Sequence, residues 1–293
     1  MSTHRLSSDI FHRAEAAGAE LPPLLVAAER VAATVSQGVH GRRRVGPGET
    51  FWQYRRYQHG DPMQRIDWRM SARSRHVFVR QTEWEAAQSV WLWRDASPSM
   101  DYCSRACWPR KSDRANLLLL ALASLLARGG EHVALVGDDR GPAPGRTALK
   151  RLTAVLMRRA QSMDSVPPPV ALPRFASLVI IGDLLTPLDQ VAAMVGRFVA
   201  QGVRGHLLQV LDPAEETLPF SGRVRFVGTE GEGEAVIGRV ERVRPAYAAA
   251  MAAHRAGLNR IARAGGWTFA QHHTSRPAQS ALLALYLALS AQS

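Results

Sequence analysis

Two cysteines in 293 residues, Cys103 and Cys107, are too few for a disulfide framework, and without histidines beside them two thiols leave a zinc shell half filled. Their four-residue spacing would put them on one helix face, but reduced thiol is the expected state. Long apolar runs are missing too. The longest, Leu117–Ala127 and Leu282–Leu289, fall short of the roughly 18 apolar residues that a membrane span requires. The opening stretch Met1–Glu20 mixes His, Arg, Asp and Glu and lacks the basic start, apolar segment and cleavage site of a secretory signal. A cytoplasmic protein with no membrane span is expected. Phosphate-binding glycine loops and the G-x-S-x-G elbow are also absent. His59 and Asp61 sit too close in one turn to form a dyad, and His272-His273 have no nucleophile beside them, so no histidine-based catalytic set is visible.

Lysine and acidic charge are scarce. Only Lys111 and Lys150 occur, every other basic side chain among the 37 is an arginine, and 25 carboxylates leave a net charge of +12. Such a balance suits a partner carrying phosphates or carboxylates. Abundant alanine beside so much arginine is also the mark of a GC-rich genome, which explains much of the excess without any function. The excess is uneven, since His40–Arg80 holds ten arginines against Glu49, Asp61 and Asp67.

What is present is ample material for a core, 46% hydrophobic residues against 21% charged. Residues 8–37 read as helical, with Leu24, Leu25, Ala28, Val31, Ala32 and Val35 at three- and four-residue spacings and Gly38 as a stop. Gly41–Pro47 reads as a loop, Phe51–Tyr57 interleaves aromatics with arginines, His59–Pro62 is a turn and His76–Gln81 a strand. From Ala87 short apolar runs alternate with amphipathic segments. Strands are predicted at Ser89–Trp93, His132–Val136, Leu178–Ile181, His206–Leu211 and Trp267–Gln271, and helices at Asp113–Arg128, capped by Ser112, then Thr147–Arg159, Pro187–Gln201, Pro245–Ala264 and Pro277–Leu289. Arg223–Val227 and Ala235–Val240 read as an inserted hairpin. Strands spaced by helices need crossover connections. The prediction is an α/β fold, a doubly wound and mostly parallel sheet with helices on both faces over 86–293, preceded by a helical and β extension over 1–85.

In such a sheet ligands bind at the carboxyl ends of the strands. The first predicted strand runs into Asp95-Ala96-Ser97-Pro98-Ser99, a D-x-S-x-S loop, and the third into Asp183. Hard oxygen donors of this kind suit Mg²⁺ or Mn²⁺ better than zinc or copper. Thr147, which would equally serve as a helix cap, offers a third hydroxyl. The set resembles the metal-ion-dependent adhesion site of von Willebrand factor A domains. That resemblance implies that Ser97, Ser99 and Thr147 coordinate the ion, that Asp95 and Asp183 hold it directly or through water, and that a partner's carboxylate fills the open position.

A second signature precedes this loop: Val45-Gly46-Pro47-Gly48-Glu49, Phe51, Arg55-Arg56-Tyr57-Gln58-His59-Gly60-Asp61-Pro62, Arg65-Ile66-Asp67-Trp68, Ser71-Ala72-Arg73 and Glu83, followed by Asp95–Met100. With Asp212-Pro213-Ala214-Glu215-Glu216 after a later strand, it resembles the bacterial domain of unknown function 58 family, whose members are von Willebrand factor A-like and often encoded beside MoxR-type AAA+ ATPases. The resemblance implies a non-enzymatic adaptor that docks such an ATPase to an unknown client complex. Many relatives carry two N-terminal membrane spans, which this polar N-terminus lacks. Asp61 and Asp67 could pair with Arg55, Arg65 or Arg69 to pin a turn. Two other functions stay open: a nucleic-acid surface made of Arg42–Arg44, Arg55 and Arg56 with Trp52, Tyr54 and Tyr57, and a Mg²⁺-dependent phosphoesterase using Asp95, Asp138, Asp139 and Asp183.

Overall fold

The computed structural model describes residues 23–39, 51–57, 63, 66–82, 89–105, 108–158 and 164–291. Expectations for 8–22, Gly41–Pro47, the His59–Pro62 turn, Arg65 and Cys107 lie outside these residues.

Five strands form one sheet: β3 (Ser89–Arg94), β4 (His132–Leu135), β5 (Ser177–Gly182), β6 (Arg204–Leu211) and β9 (Thr268–His273). Their order is β4-β3-β5-β6-β9 and every neighbouring pair is parallel. The sheet is therefore all parallel and doubly wound, with its order reversing between β3 and β5. β1 (Phe51–Arg56) and β2 (Phe78–Thr82) make a separate antiparallel pair, with the four-residue helix α2 (Trp68–Ser71) between them in sequence. Asp67 accepts the Met70 N–H at 2.9 Å and so caps that helix. β7 (Val224–Val227) and β8 (Glu234–Ile237) form the inserted hairpin.

One face of the sheet carries α1 (Pro23–Val39), α3 (Lys111–Arg128), α4 (Gly145–Arg158) and α8 (Ala278–Ala291). The apolar stripe of α1, Leu25, Ala28, Val31, Ala32 and Val35, is buried in this cluster. α3 is covered by the sheet on one side and by helices on the others, which is why Leu118–Leu126 is buried almost all round and reads as a solid apolar run. Among the described residues no helix is long and apolar enough to cross a membrane. The other face carries α5 (Leu188–Ala200), α7 (Val240–Ala264) and the proline-rich connector, through Val166, Val170 and Leu172. The short α6 (Pro213–Thr217) follows β6 at the carboxyl edge.

Three helices begin earlier than their sequence signals, α4 among them at Gly145, two residues before Thr147. α3 starts at Lys111 rather than after Ser112, because the Arg114 N–H already bonds the Arg110 carbonyl at 3.0 Å, while the Lys111 N–H is satisfied by the Tyr102 carbonyl. α7 starts five residues before Pro245, anchored by Val240 N–H on the Gly222 carbonyl and by Arg244 on the carbonyls of Leu218 and Phe220.

Trp267 fixes the approach of α7 to the sheet. Its indole N–H donates to the Val203 carbonyl at 3.1 Å, and its ring lies where a Cβ on Gly205 would sit, with the nearest ring atom 1.9 Å away. Gly205→Ala is therefore expected to lower stability by about 3 kcal/mol in a urea melt, through overpacking. A loss within experimental error would mean that Trp267 moves aside freely.

Candidate functional site

The register of β3 against β5 pairs Arg94 with Ile181, and the Asp95 N–H continues that ladder to the Ile181 carbonyl at 2.8 Å. Asp95 and Asp183 therefore emerge side by side at the point where the strand order reverses. Asp95 is fully buried and Asp183 nearly so. Gly182 makes room for this, since a Cβ there would lie 2.8 Å from the Asp95 Cβ.

The D-x-S-x-S loop wraps these carboxylates. Asp95 Oδ1 accepts the Ser97 N–H at 2.8 Å, the Ser97 and Ser99 hydroxyls lie 3.0 Å apart, and the Ser99 hydroxyl donates to Asp183 Oδ2 at 2.7 Å. Asp183 Oδ1 accepts the Leu185 N–H. Asp95 Oδ2 is buried with no hydrogen-bond partner among the described residues. Burial, reinforced by the charge of Asp183, pushes the Asp95 carboxyl up to about 6 despite the opposing pull of Ser97.

A lysine joins the group. Lys111, the first residue of α3, has no exposed surface and donates from Nζ to Asp183 Oδ2 at 2.9 Å and to Glu215 Oε1 at 2.5 Å. Glu215 is held by a capping box at the start of α6, its Oε2 accepting the Asp212 N–H. Asp212 in turn accepts N–H groups from Ala214 and Ser104. Burial alone would lower the Lys111 ammonium, but the charges of Asp183 and Glu215 outweigh it and hold the group above its ordinary value.

The site opens into a cavity of about 1080 Å³ bordered by Tyr102, Phe220, Phe226 and Tyr247. Glu230, in the turn of the hairpin, reaches over its rim. Its Oε1 accepts the Ser99 N–H and its Oε2 the Ser165 hydroxyl, each at 3.3 Å.

The profile of the family described as "Protein of unknown function DUF58" matches residues 53–257. The chain belongs to the DUF58 family. Uncharacterized proteins of Mycobacterium tuberculosis and Mycobacterium bovis are 29% identical to this DUF58 chain over 278 residues, which is 87% of it and 86% of each relative. Among solved structures, an aerotolerance-related membrane protein of Bacteroides fragilis is similar at a TM-score of 0.41 and 18% identity, covering 70% of this chain and 100% of that one. The conserved hypothetical protein BatB of Bacteroides thetaiotaomicron is similar at 0.42 and 16%, covering 70% and 98%.

Of the expected metal ligands, the structure brings Asp95, Ser97, Ser99 and Asp183 together and leaves Thr147 out. Ala143 bridges antiparallel to Val133, so the chain has returned to the amino end of β4 before α4 begins. Thr147 is exposed in the first turn of α4, away from the carboxyl edge. Hydroxyls that do reach this edge are Ser165, after α4, and Thr186, which line the same cavity as Ser99 and Asp183. Asp138 is engaged by the Arg151 guanidinium at 3.0 Å, and among the described residues no group of three or more carboxylates is placed to hold a metal as the phosphoesterase reading requires. His272 is buried, and His273 pairs with Glu216.

A divalent ion needs several oxygen donors converging on one point. Here Thr147 lies away from the site, and the Lys111 ammonium rests on Asp183 Oδ2, the oxygen that an ion held by Asp183 would share. Among the described residues no cluster of three or more His, Cys, Asp or Glu is arranged to hold a metal. With Lys111 in place the set does not fit a divalent ion, because two cations would be pressed together over one carboxylate.

Asp95 makes a pH signature. Its folded-state value of about 6 lies above the ordinary 3.8, so the folded protein binds this proton more tightly than the unfolded chain, and ionising Asp95 withdraws stability as pH rises between those values. Asp95→Asn keeps an acceptor for Ser97 and removes the charge. The Tm difference between variant and wild type is expected to be more favourable to the variant near pH 7 than near pH 4. An equal difference at both would contradict this assignment.

Proposed function

We propose that this DUF58 chain is a non-enzymatic adaptor that docks a partner protein over the carboxyl edge of its sheet, receiving an acidic side chain of the partner at Ser99 and Ser165. The observation that carries this reading is Glu230, a carboxylate already seated on the Ser99 N–H and the Ser165 hydroxyl at the cavity rim. Two long bonds to neutral donors from a half-buried side chain hold weakly, so a partner carboxylate can replace Glu230 at little cost. The aromatic rings around the cavity supply the apolar anchor that a protein interface needs beside a polar contact. The partner implied by the family resemblance is a MoxR-type AAA+ ATPase, which would act with this chain on a client complex.

A second reading retains one observation: Trp68 is 64% exposed beside the exposed Arg69, Arg73 and Arg75, a stacking ring among phosphate-binding cations. A steep fall of single-stranded nucleic-acid affinity with salt would favour it.

Calorimetry with a MoxR-type ATPase tests the adaptor. Glu230→Ala, which removes the internal competitor, is expected to tighten binding about tenfold, ~1.4 kcal/mol, and Ser165→Ala to weaken it. Unchanged affinity in Glu230→Ala, or no binding of the ATPase at all, would refute the seat.

A further inference from the structure

An ammonium with no exposed surface needs a reason, and Lys111 is one of two lysines in a chain that otherwise uses arginine. A guanidinium is a broad fork, whereas an ammonium is a compact point charge with three donors. Only the compact group suits a position between Asp183 Oδ2 and Glu215 Oε1 at 2.9 and 2.5 Å. Asp183 Oδ2 also receives the Ser99 hydroxyl, itself 3.0 Å from Ser97 Oγ. The ammonium is thus connected through one oxygen to the whole D-x-S-x-S loop, on the carboxylate that a bound ion would have to share.

We infer that the Lys111 ammonium is the resident cation of this site, standing in for a divalent ion, so that the loop and the sheet edge keep their shape without metal. The charge is covalently part of α3 and neither chelation nor dilution removes it. This inference goes beyond the docking reading and does not depend on which partner binds.

The test is a titration of Mn²⁺, followed by its EPR signal, into the full-length chain and into Lys111→Met. The double variant Lys111→Met/Glu215→Gln, which leaves one buried carboxylate fewer unpaired, serves if the single variant does not fold. Wild type is expected to leave the free Mn²⁺ signal unchanged and to melt at the same temperature in EDTA and in Mg²⁺. The folded Lys111 variant should bind Mn²⁺ about tenfold or more tightly than wild type and gain Tm when it is added. Mn²⁺ binding by wild type that is lost in Ser97→Ala would overturn the inference. So would Lys111 variants that bind Mn²⁺ no better than wild type. Because no partner is present, either result leaves the docking reading to its own test.

Discussion

The Lys111 ammonium, shared between Asp183 and Glu215, is the contact on which the carboxyl edge of the sheet depends. It ties the start of α3 to the end of β5 and to the capping box of α6, three segments far apart in sequence. Taking charges out of water costs several kcal/mol per ion, and the attraction between them offsets that only where the remaining lone pairs are also satisfied. Here they largely are: Ser99 and Leu185 donate to Asp183, and Asp212 donates to Glu215. Losing one member would leave the others buried without their partner, which makes the contacts cooperative.

The sheet supplies the geometry that this contact needs. Reversal of strand order between β3 and β5 leaves their carboxyl ends uncovered by a crossover, so Asp95 and Asp183 can lie side by side. Gly182 removes the Cβ that would push Asp95 away. The inserted hairpin then places an acidic turn over the opening, and Glu230 meets the N–H of Ser99, whose hydroxyl serves Asp183. A rigid inner charge network and a loosely held outer carboxylate are suited to a docking site: one preserves the shape and the other yields to a partner.

Much of the fold was legible because the elements with one-sided burial write their period into the sequence. The stripe of α1 and the amphipathic α5 behind Pro187 are examples, while the central strands, covered on both faces, read instead as short solid apolar runs. Asp95, Ser97, Ser99 and Asp183 were legible because each follows directly on an apolar strand. Thr147 was misleading, since a hydroxyl at a helix start looks the same at either edge of a sheet, and only the antiparallel return of Ala143 along β4 decides which edge it occupies. Glu215, Glu230 and Ser165 could not be placed, because their contacts depend on how distant loops close over the cavity. Lys111 carries a signal of its own, a lysine at a helix start in a chain of arginines, but its partners lie more than 70 residues away in sequence. The arginine-rich signature before β3 announces a family, and its aspartate at 67 serves as a helix cap.

Because the chain has only two lysines and Lys150 is exposed, a proton–nitrogen spectrum of the lysine ammonium groups reads the central contact directly. The account predicts one slowly exchanging ammonium signal at neutral pH, unchanged by excess Mg²⁺ and lost in Lys111→Met. Absence of a protected signal, or its loss when Mg²⁺ is added, would show that Lys111 does not hold this site.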